Sequence, residues 1–271
     1  MLIDKFDPLW LAQLAEREAH LPVGARQYLL IDGVFLPGIH RRLEAAVKAD
    51  AIGLLFELLP GCSDESRAVS PLLVHYQPNN AALEAVLGTC SGWPMVSVIV
   101  TSEPIDQLVA RLAGWCIIEA DEQYFNFRFP DTRRLPTILE VLSDEQKGRM
   151  LGSARELLYI ERNGKWKTVS LNLEASDSTE TPRLSERQFG ALVQDGEADS
   201  IIELLRQRGD EIVAVPSVKF DRVQAALVAA DHGKLDDSTR LDWCAYCLQR
   251  PTFEAAELRR EWAQWHAKRA E

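Results

Sequence analysis

The chain has little of what extracellular, membrane-spanning and nucleic-acid-binding proteins rely on. Cysteine is sparse and odd in number: Cys62, Cys90, Cys116, Cys244 and Cys247 are scattered through 271 residues. That is not the dense, even set of a disulfide framework. No stretch reaches about 18 uncharged apolar residues, so no membrane span is expected. Met1-Leu2-Ile3-Asp4-Lys5 is not followed by an apolar core; no secretory signal is expected, and the expected location is the bacterial cytoplasm. Basic residues are outnumbered, 30 Lys and Arg against 41 Asp and Glu, for a formal net charge of -11. Such a surface repels phosphate backbones and anionic lipid, so neither nucleic acid nor a membrane is an expected partner.

The loops that mark common catalytic designs are lacking too. There is no Gly-x-x-x-x-Gly-Lys-Ser/Thr, no Gly-x-Gly-x-x-Gly, no His-Glu-x-x-His and no Gly-x-Ser-x-Gly. Standard nucleotide, metalloprotease and hydrolase roles are therefore not expected. The five histidines, His20, His40, His75, His232 and His266, are dispersed. A catalytic histidine needs an acid or nucleophile beside it, so surface and packing roles are expected here. What the chain does have is a hydrophobic fraction of 46%, enough to fill a core.

Periodicity organises the first two thirds. Residues 95–100 form a short, mostly β-branched apolar run bounded by turn residues, as in a buried strand. Ser102 is placed to cap a helix with Pro104 in its first turn, and Ile105, Leu108, Val109 and Leu112 repeat at helical spacing. Phe125, Phe127 and Phe129 then alternate with polar residues, the period of a strand. Further strands are expected at 28–31, at 54–59 (or an irregular apolar segment) and at 72–76, the last started by Pro71, with an exposed loop at 62–68. A helical lead-in is expected over 1–20, with Leu9, Trp10, Leu11 and Leu14 as its apolar stripe; a helix with Ile39, Leu43, Ala46 and Val47 on one face follows Leu36-Pro37-Gly38, and one with Leu83, Val86, Leu87 and Cys90 on one side is opened by Pro78-Asn79 and ended near Gly92. Ser143-Asp144-Glu145-Gln146 has the capping-box pattern, and Asn163-Gly164 marks a β-hairpin between 156–161 and 166–171.

Alternating strands and helices predict an α/β (α+β) N-terminal lobe over 1–171, its mixed sheet flanked by helices, with antiparallel pairing open at the edges. Residues 172–182 are polar and read as a linker. From 183 to 271 the period is helical only, which predicts a smaller all-α lobe. There Ser185-Glu186-Arg187-Gln188 repeats the capping-box pattern. Gly209 and Gly233 end helices, and Pro251-Thr252 restarts the last one, which carries Leu258, Trp262 and Trp265.

Several residues admit two roles. Asp32, after the first strand, is either a strand-end acid of an open α/β enzyme or a turn and cap aspartate. Arg128 and Asp131 are a strand-end ion pair or a partner-binding group. Cys244-Ala245-Tyr246-Cys247 has zinc or redox spacing but no second pair, and buried core thiols are expected. Trp262 and Trp265 are interface anchors, candidates for contact with a partner, or helix-packing residues.

The order of Tyr28-Leu29-Leu30-Ile31-Asp32, Ser70-Pro71-Leu72-Leu73-Val74, Trp93-Pro94 before a buried strand, Ser102-Glu103-Pro104 and Phe127-Arg128-Phe129-Pro130-Asp131 resembles the effector chaperones, or adaptors, of type VI secretion. The likeness runs from about residue 28 to 171. It implies a non-enzymatic cytoplasmic protein without cofactor or metal, whose partners are a cognate secreted effector and the spike protein onto which the effector is loaded. By the same resemblance Asp32, Pro71, Trp93, Arg128 and Asp131 are a structural signature rather than catalysts. The chain departs from the common pattern at Phe-Arg-Phe-Pro-Asp, where an aromatic often precedes the Asp. Two lobes on a polar linker would present a cleft to the effector. The sequence leaves open an open α/β enzyme and a structural scaffold as alternatives.

Overall fold

The computed structural model describes residues 1–176, 180–210, 213–230, 236–250 and 255–268. Their backbone divides into two compact units, Met1–Leu192 and Val193–Glu271. In the first unit the order is α1 (Trp10–Ala19), β1 (Arg26–Ile31), α2 (Ile39–Glu44), β2 (Ile52–Leu54), α3 (Asp64–Val69), β3 (Leu72–His75), α4 (Ala81–Gly88), β4 (Val96–Thr101) and α5 (Ile105–Ala113). It continues with β5 (Ile117–Ala120), β6 (Gln123–Asn126), α6 (Leu135–Val141), α7 (Asp144–Leu151), β7 (Glu156–Ile160) and β8 (Trp166–Ser170). Helix α8 (Glu186–Asp195) crosses the boundary, and the second unit adds α9 (Glu197–Arg208), α10 (Pro216–Ala229), α11 (Asp237–Leu248) and α12 (Ala255–Ala267).

Six strands make one sheet in the order β2-β3-β1-β4-β7-β8. Every pairing in it is antiparallel, so the antiparallel geometry left open for the edges extends to the centre. The mostly apolar runs Tyr28–Ile31 of β1 and Val96–Val100 of β4, broken only by Ser97, follow from cover on both faces. Tyr28, Leu30, Leu73, Ile99 and Leu157 point to one side, where α5, α6 and α7 supply Leu108, Leu112, Ile138 and Met150. Leu29, Ile31, Val74, Val98 and Leu158 point to the other, against Trp10 and Leu14 of α1, Leu43 of α2 and Leu83 of α4. Each such aliphatic side chain contributes about 1.5–3 kcal/mol by leaving water.

Local signals often hold. Ser143 and Gln146 close a full capping box on α7. Ser185 and Gln188 make the same reciprocal bonds at 2.9 and 3.3 Å. Gly164, at φ 77°, turns the β7–β8 hairpin.

Other expectations are corrected. The aromatic run does not form a strand of the main sheet. Only Gln123–Asn126 is extended, paired with β5 in a separate two-stranded ribbon. Phe127 and Phe129 then leave it as buried loop residues ahead of Pro130. Ser102 does not cap α5; Pro104 occupies that position with no side-chain bond. Glu103 precedes a proline and is held off the helical region, so a helix cannot start there, and its N–H goes to Thr101 Oγ1 at 3.2 Å. Residues 62–68 are not all loop, because Ser63 accepts from Ser66 N and starts α3. Of the run 54–59, β2 ends at Leu54 and a 3-10 turn takes Leu55–Leu58. Asp177, Ser178 and Thr179 of the expected linker, with His232, Gly233 and Pro251-Thr252, lie outside the described residues.

The polar stretch after β8 belongs to the first unit, and the division falls beyond Leu192 rather than at 172–182. The reason is that its main chain is used. Arg111 Nη1 donates to Ser176 O at 3.0 Å, and Glu119 N donates to Pro182 O at 2.8 Å. Gly148 of α7 lets the stretch pass, since a Cβ there would lie 2.2 Å from Glu174 O. Replacing a mid-helix glycine by alanine ordinarily stabilises a helix by up to about 1 kcal/mol. Gly148→Ala is expected to do the reverse, losing roughly 1–3 kcal/mol through that backbone clash. Urea denaturation checks the sign; a gain in stability would show that the stretch is not held against α7.

Candidate partner-binding site at one end of the sheet

Ile31, the last residue of β1, pairs with Leu72 on one side and Val96 on the other. The residue after β1, the residue before β3 and the approach to β4 are thereby brought to one end of the sheet. Asp32 N donates to Met95 O at 2.9 Å. Ser70 Oγ donates to Pro71 O at 2.7 Å and accepts from Phe56 N at 3.0 Å. Gly33 makes the close approach possible, because a Cβ on it would stand 2.4 Å from Ser70 O. The loop after Phe129 closes over this end, with Thr132 N donating to Pro94 O at 2.9 Å. Asp32, Pro71, Trp93, Arg128 and Asp131 thus converge from four segments.

Two buried carboxylates anchor the group. Asp32 Oδ1 accepts from Val34 N at 3.2 Å, capping the turn after β1, and Oδ2 accepts from Arg128 Nη2 at 3.0 Å. Burial pushes the Asp32 carboxyl above its usual range, and Arg128 opposes that shift without cancelling it. Asp131 receives Arg133 as a fork: Oδ1 accepts from Nε at 3.0 Å and Oδ2 from Nη2 at 2.7 Å, while Arg133 N also donates to Oδ1. Arg128 Nη2 stands 3.9 Å from Asp131 Oδ2. The two guanidinium groups lie over the Phe35 ring at 5.4 and 5.8 Å, and Phe35 stacks on Trp93 with centroids 6.2 Å apart.

This arrangement suits recognition better than catalysis. Each carboxylate is engaged by an arginine and a main-chain N–H, which leaves Asp32 as the cap aspartate. What reaches solvent is the Arg128 side chain, 43% exposed, backed by an aromatic pair; arginine on an aromatic face is a recurrent binding surface. Sequence reasoning named five members and missed Phe35 and Arg133. The pattern Asp131-x-Arg133 was the available signal, since a loop aspartate often turns back on the next main-chain N–H groups.

Residues 27–149 match the family model described as Domain of unknown function (DUF4123). That stretch is similar to the DUF4123 family and makes up a little under half of the chain. This family is associated with effector chaperones and adaptors of type VI secretion, the family that the motif order resembles. The matched stretch runs from β1 nearly to the end of α7 and holds all five signature residues. No curated protein and no solved structure matches the chain.

Outside the DUF4123 match, the second unit has its own core. Trp243 is fully buried, donates Nε1–H to Ala226 O at 2.8 Å, and meets Trp262 and Trp265 at 5.1 and 5.4 Å. Trp262 and Trp265 are therefore packing residues with partly exposed edges. Cys244 and Cys247 are buried free thiols in the same core. Burial pushes both thiols up, that of Cys244 to about 12, so both stay protonated and unreactive at neutral pH. Among the described residues no group of three His, Cys, Asp or Glu is placed to hold a metal ion, and no helix is long and apolar enough to cross a membrane.

Proposed function

We propose that this chain is a cytoplasmic adaptor that binds a cognate effector of type VI secretion, keeps it soluble, and passes it to the spike protein. The observation that carries the reading is the position of the five motif residues: all lie within the DUF4123 match, and they meet at one sheet end with an arginine and aromatic surface facing outward. Physically, an adaptor covers effector surface that would otherwise aggregate. An enzyme built on Asp32 has no support from the geometry, because both carboxylate oxygens are engaged.

Co-expression tests the reading. The effector encoded beside the adaptor is expected to be several-fold more soluble with the chain than alone, and to co-elute with it and with the spike protein. Arg128→Gln, which removes the exposed charge but keeps a donor for Asp32, should keep the fold by circular dichroism and weaken effector retention by about tenfold, the loss of one interface anchor. An effector equally soluble without the chain would refute the holding role. An effector retained unchanged by Arg128→Gln would move the contact elsewhere.

A further inference from the structure

A second surface of the first unit has the form of a strand-docking site. Segment 56–66 and the β5–β6 ribbon enclose a cleft of about 370 Å³, lined by Phe56, Leu59, Pro60, Ile117, Tyr124 and Phe125. Its apolar walls are open: Ile117 is 41% exposed and Tyr124 68%. Along β6 runs an edge that pairs with no other strand among the described residues. Phe127 N donates to Cys116 O, so by the alternation of an antiparallel pair the N–H and C=O groups of Tyr124 and Asn126 point away from β5. No proline, lysine or bulge guards that edge, the usual protections against added strands. On the far side β5 is already covered, since Glu119 bonds to Pro182 and Leu184.

Charge says what fits. Asp64 and Glu65, in the first turn of α3, lie in sequence between the lining residues Cys62 and Ser66, and Asp121 and Glu122 form the ribbon's tip at φ 50° and 59°. All four side chains are exposed, and no basic group among the described residues pairs with them. Arg67, the cation of α3, is held by Glu57 at 2.9 Å.

We infer that the β6 edge and its cleft bind an extended segment of the client protein, adding it as a strand with an apolar side chain in the cleft and Lys or Arg toward those acidic residues. This rests on the adaptor reading and adds to it the client's chemistry at one surface. Main-chain bonds to Tyr124 and Asn126 supply affinity, the cleft and the acidic residues supply selection, and the long-range field of the acidic chain favours encounter with a cationic segment.

The full chain is titrated by fluorescence anisotropy with a short peptide alternating lysine with valine and leucine, and with its glutamate counterpart. The lysine peptide should bind at least about tenfold more tightly, and should weaken as salt rises. Asn126→Pro removes an outward N–H without touching the β5 ladder, and Tyr124→Ala opens the cleft wall. Each should weaken the lysine peptide by about tenfold, with circular dichroism unchanged. Equal binding of the two peptides, or unchanged binding in both variants, overturns the proposal. So does a concentration-dependent dimer abolished by Asn126→Pro, which would make a second copy the occupant. The neighbouring-gene effector separates the two readings. Variants that lose the peptide yet retain the effector sink the cleft proposal alone, whereas a wild-type chain that never retains effector sinks the adaptor reading.

Discussion

A chain ended after Asp195 is expected to fold, and one ended at Pro182 to aggregate or melt far lower. The difference is the short segment from Arg183 to Leu192. Leu184 is 5% exposed and belongs to the core under the sheet, with Phe189 and Leu192 packed against it. Phe189 meets Phe125 at 4.5 Å. Gln188 Nε2 donates to Val141 O at 2.8 Å and to Gln146 Oε1 at 2.7 Å, joining the start of α8 to α6 and α7. Deleting a buried leucine alone costs about 2–5 kcal/mol, and here two leucines and a phenylalanine leave together. The loss is comparable with the whole stability of a domain, about 5–15 kcal/mol. Thermal melts of the two truncations decide it; equal melting would return the boundary to the polar stretch. If the second unit carries client selectivity, the chain ended after Asp195 should also lose most of its effector affinity.

That boundary shows where the sequence ran short. A stretch rich in Ser, Asp, Thr and Glu has a linker's composition, but composition does not reveal main-chain bonding. Arg111 and Glu119 hold this stretch by its carbonyl groups and Gly148 leaves room for it to pass, and none of those contacts leaves a mark on side-chain type in the stretch. Strands β1, β3 and β4 were legible because both their faces are covered, so their runs are mostly apolar. Cap signals were legible where side chain and main chain lie three residues apart, as at Ser143 and Ser185. Ser102 was misread because the proline two residues on weighed as a helix starter more than as a restraint on Glu103. The aromatic alternation of 125–129 was real, with Phe127 and Phe129 buried, but it continued past the ribbon's end into a loop. Of the candidate site, the five motif residues were readable singly. Their meeting depends on the register of Ile31 against Leu72 and Val96, and no local pattern encodes it.

Asp131→Ala and Asp32→Asn are expected to differ sharply, although both carboxylates are buried in one cluster. Asp131 takes three bonds from Arg133, whose side chain is only 11% exposed. Removing that carboxylate strips a sheltered guanidinium of its fork partner, which costs about 2–4 kcal/mol. Asp32 faces Arg128, 43% exposed, which regains water when the pair is broken. Asparagine keeps an oxygen for Val34 N and removes a charge whose burial is unfavourable. The pH dependence follows from the direction of the Asp32 shift. Its folded value lies above the ordinary 3.8 because desolvation outweighs Arg128. Between the two values the folded chain holds more protons than the unfolded one, so stability from this group falls as pH rises. Below the ordinary carboxylate range the acid is neutral in both states and the substitution should change little. As pH climbs through the raised value, Asp32→Asn should gain on the wild type and then hold a constant advantage. Melting temperatures from pH 3.5 to 7.5, roughly the span from the unperturbed carboxylate value upward, read the difference directly. A variant that loses ground as pH rises would mean that the Arg128 pair outweighs burial, and that the cluster is held together by its charges rather than in spite of them.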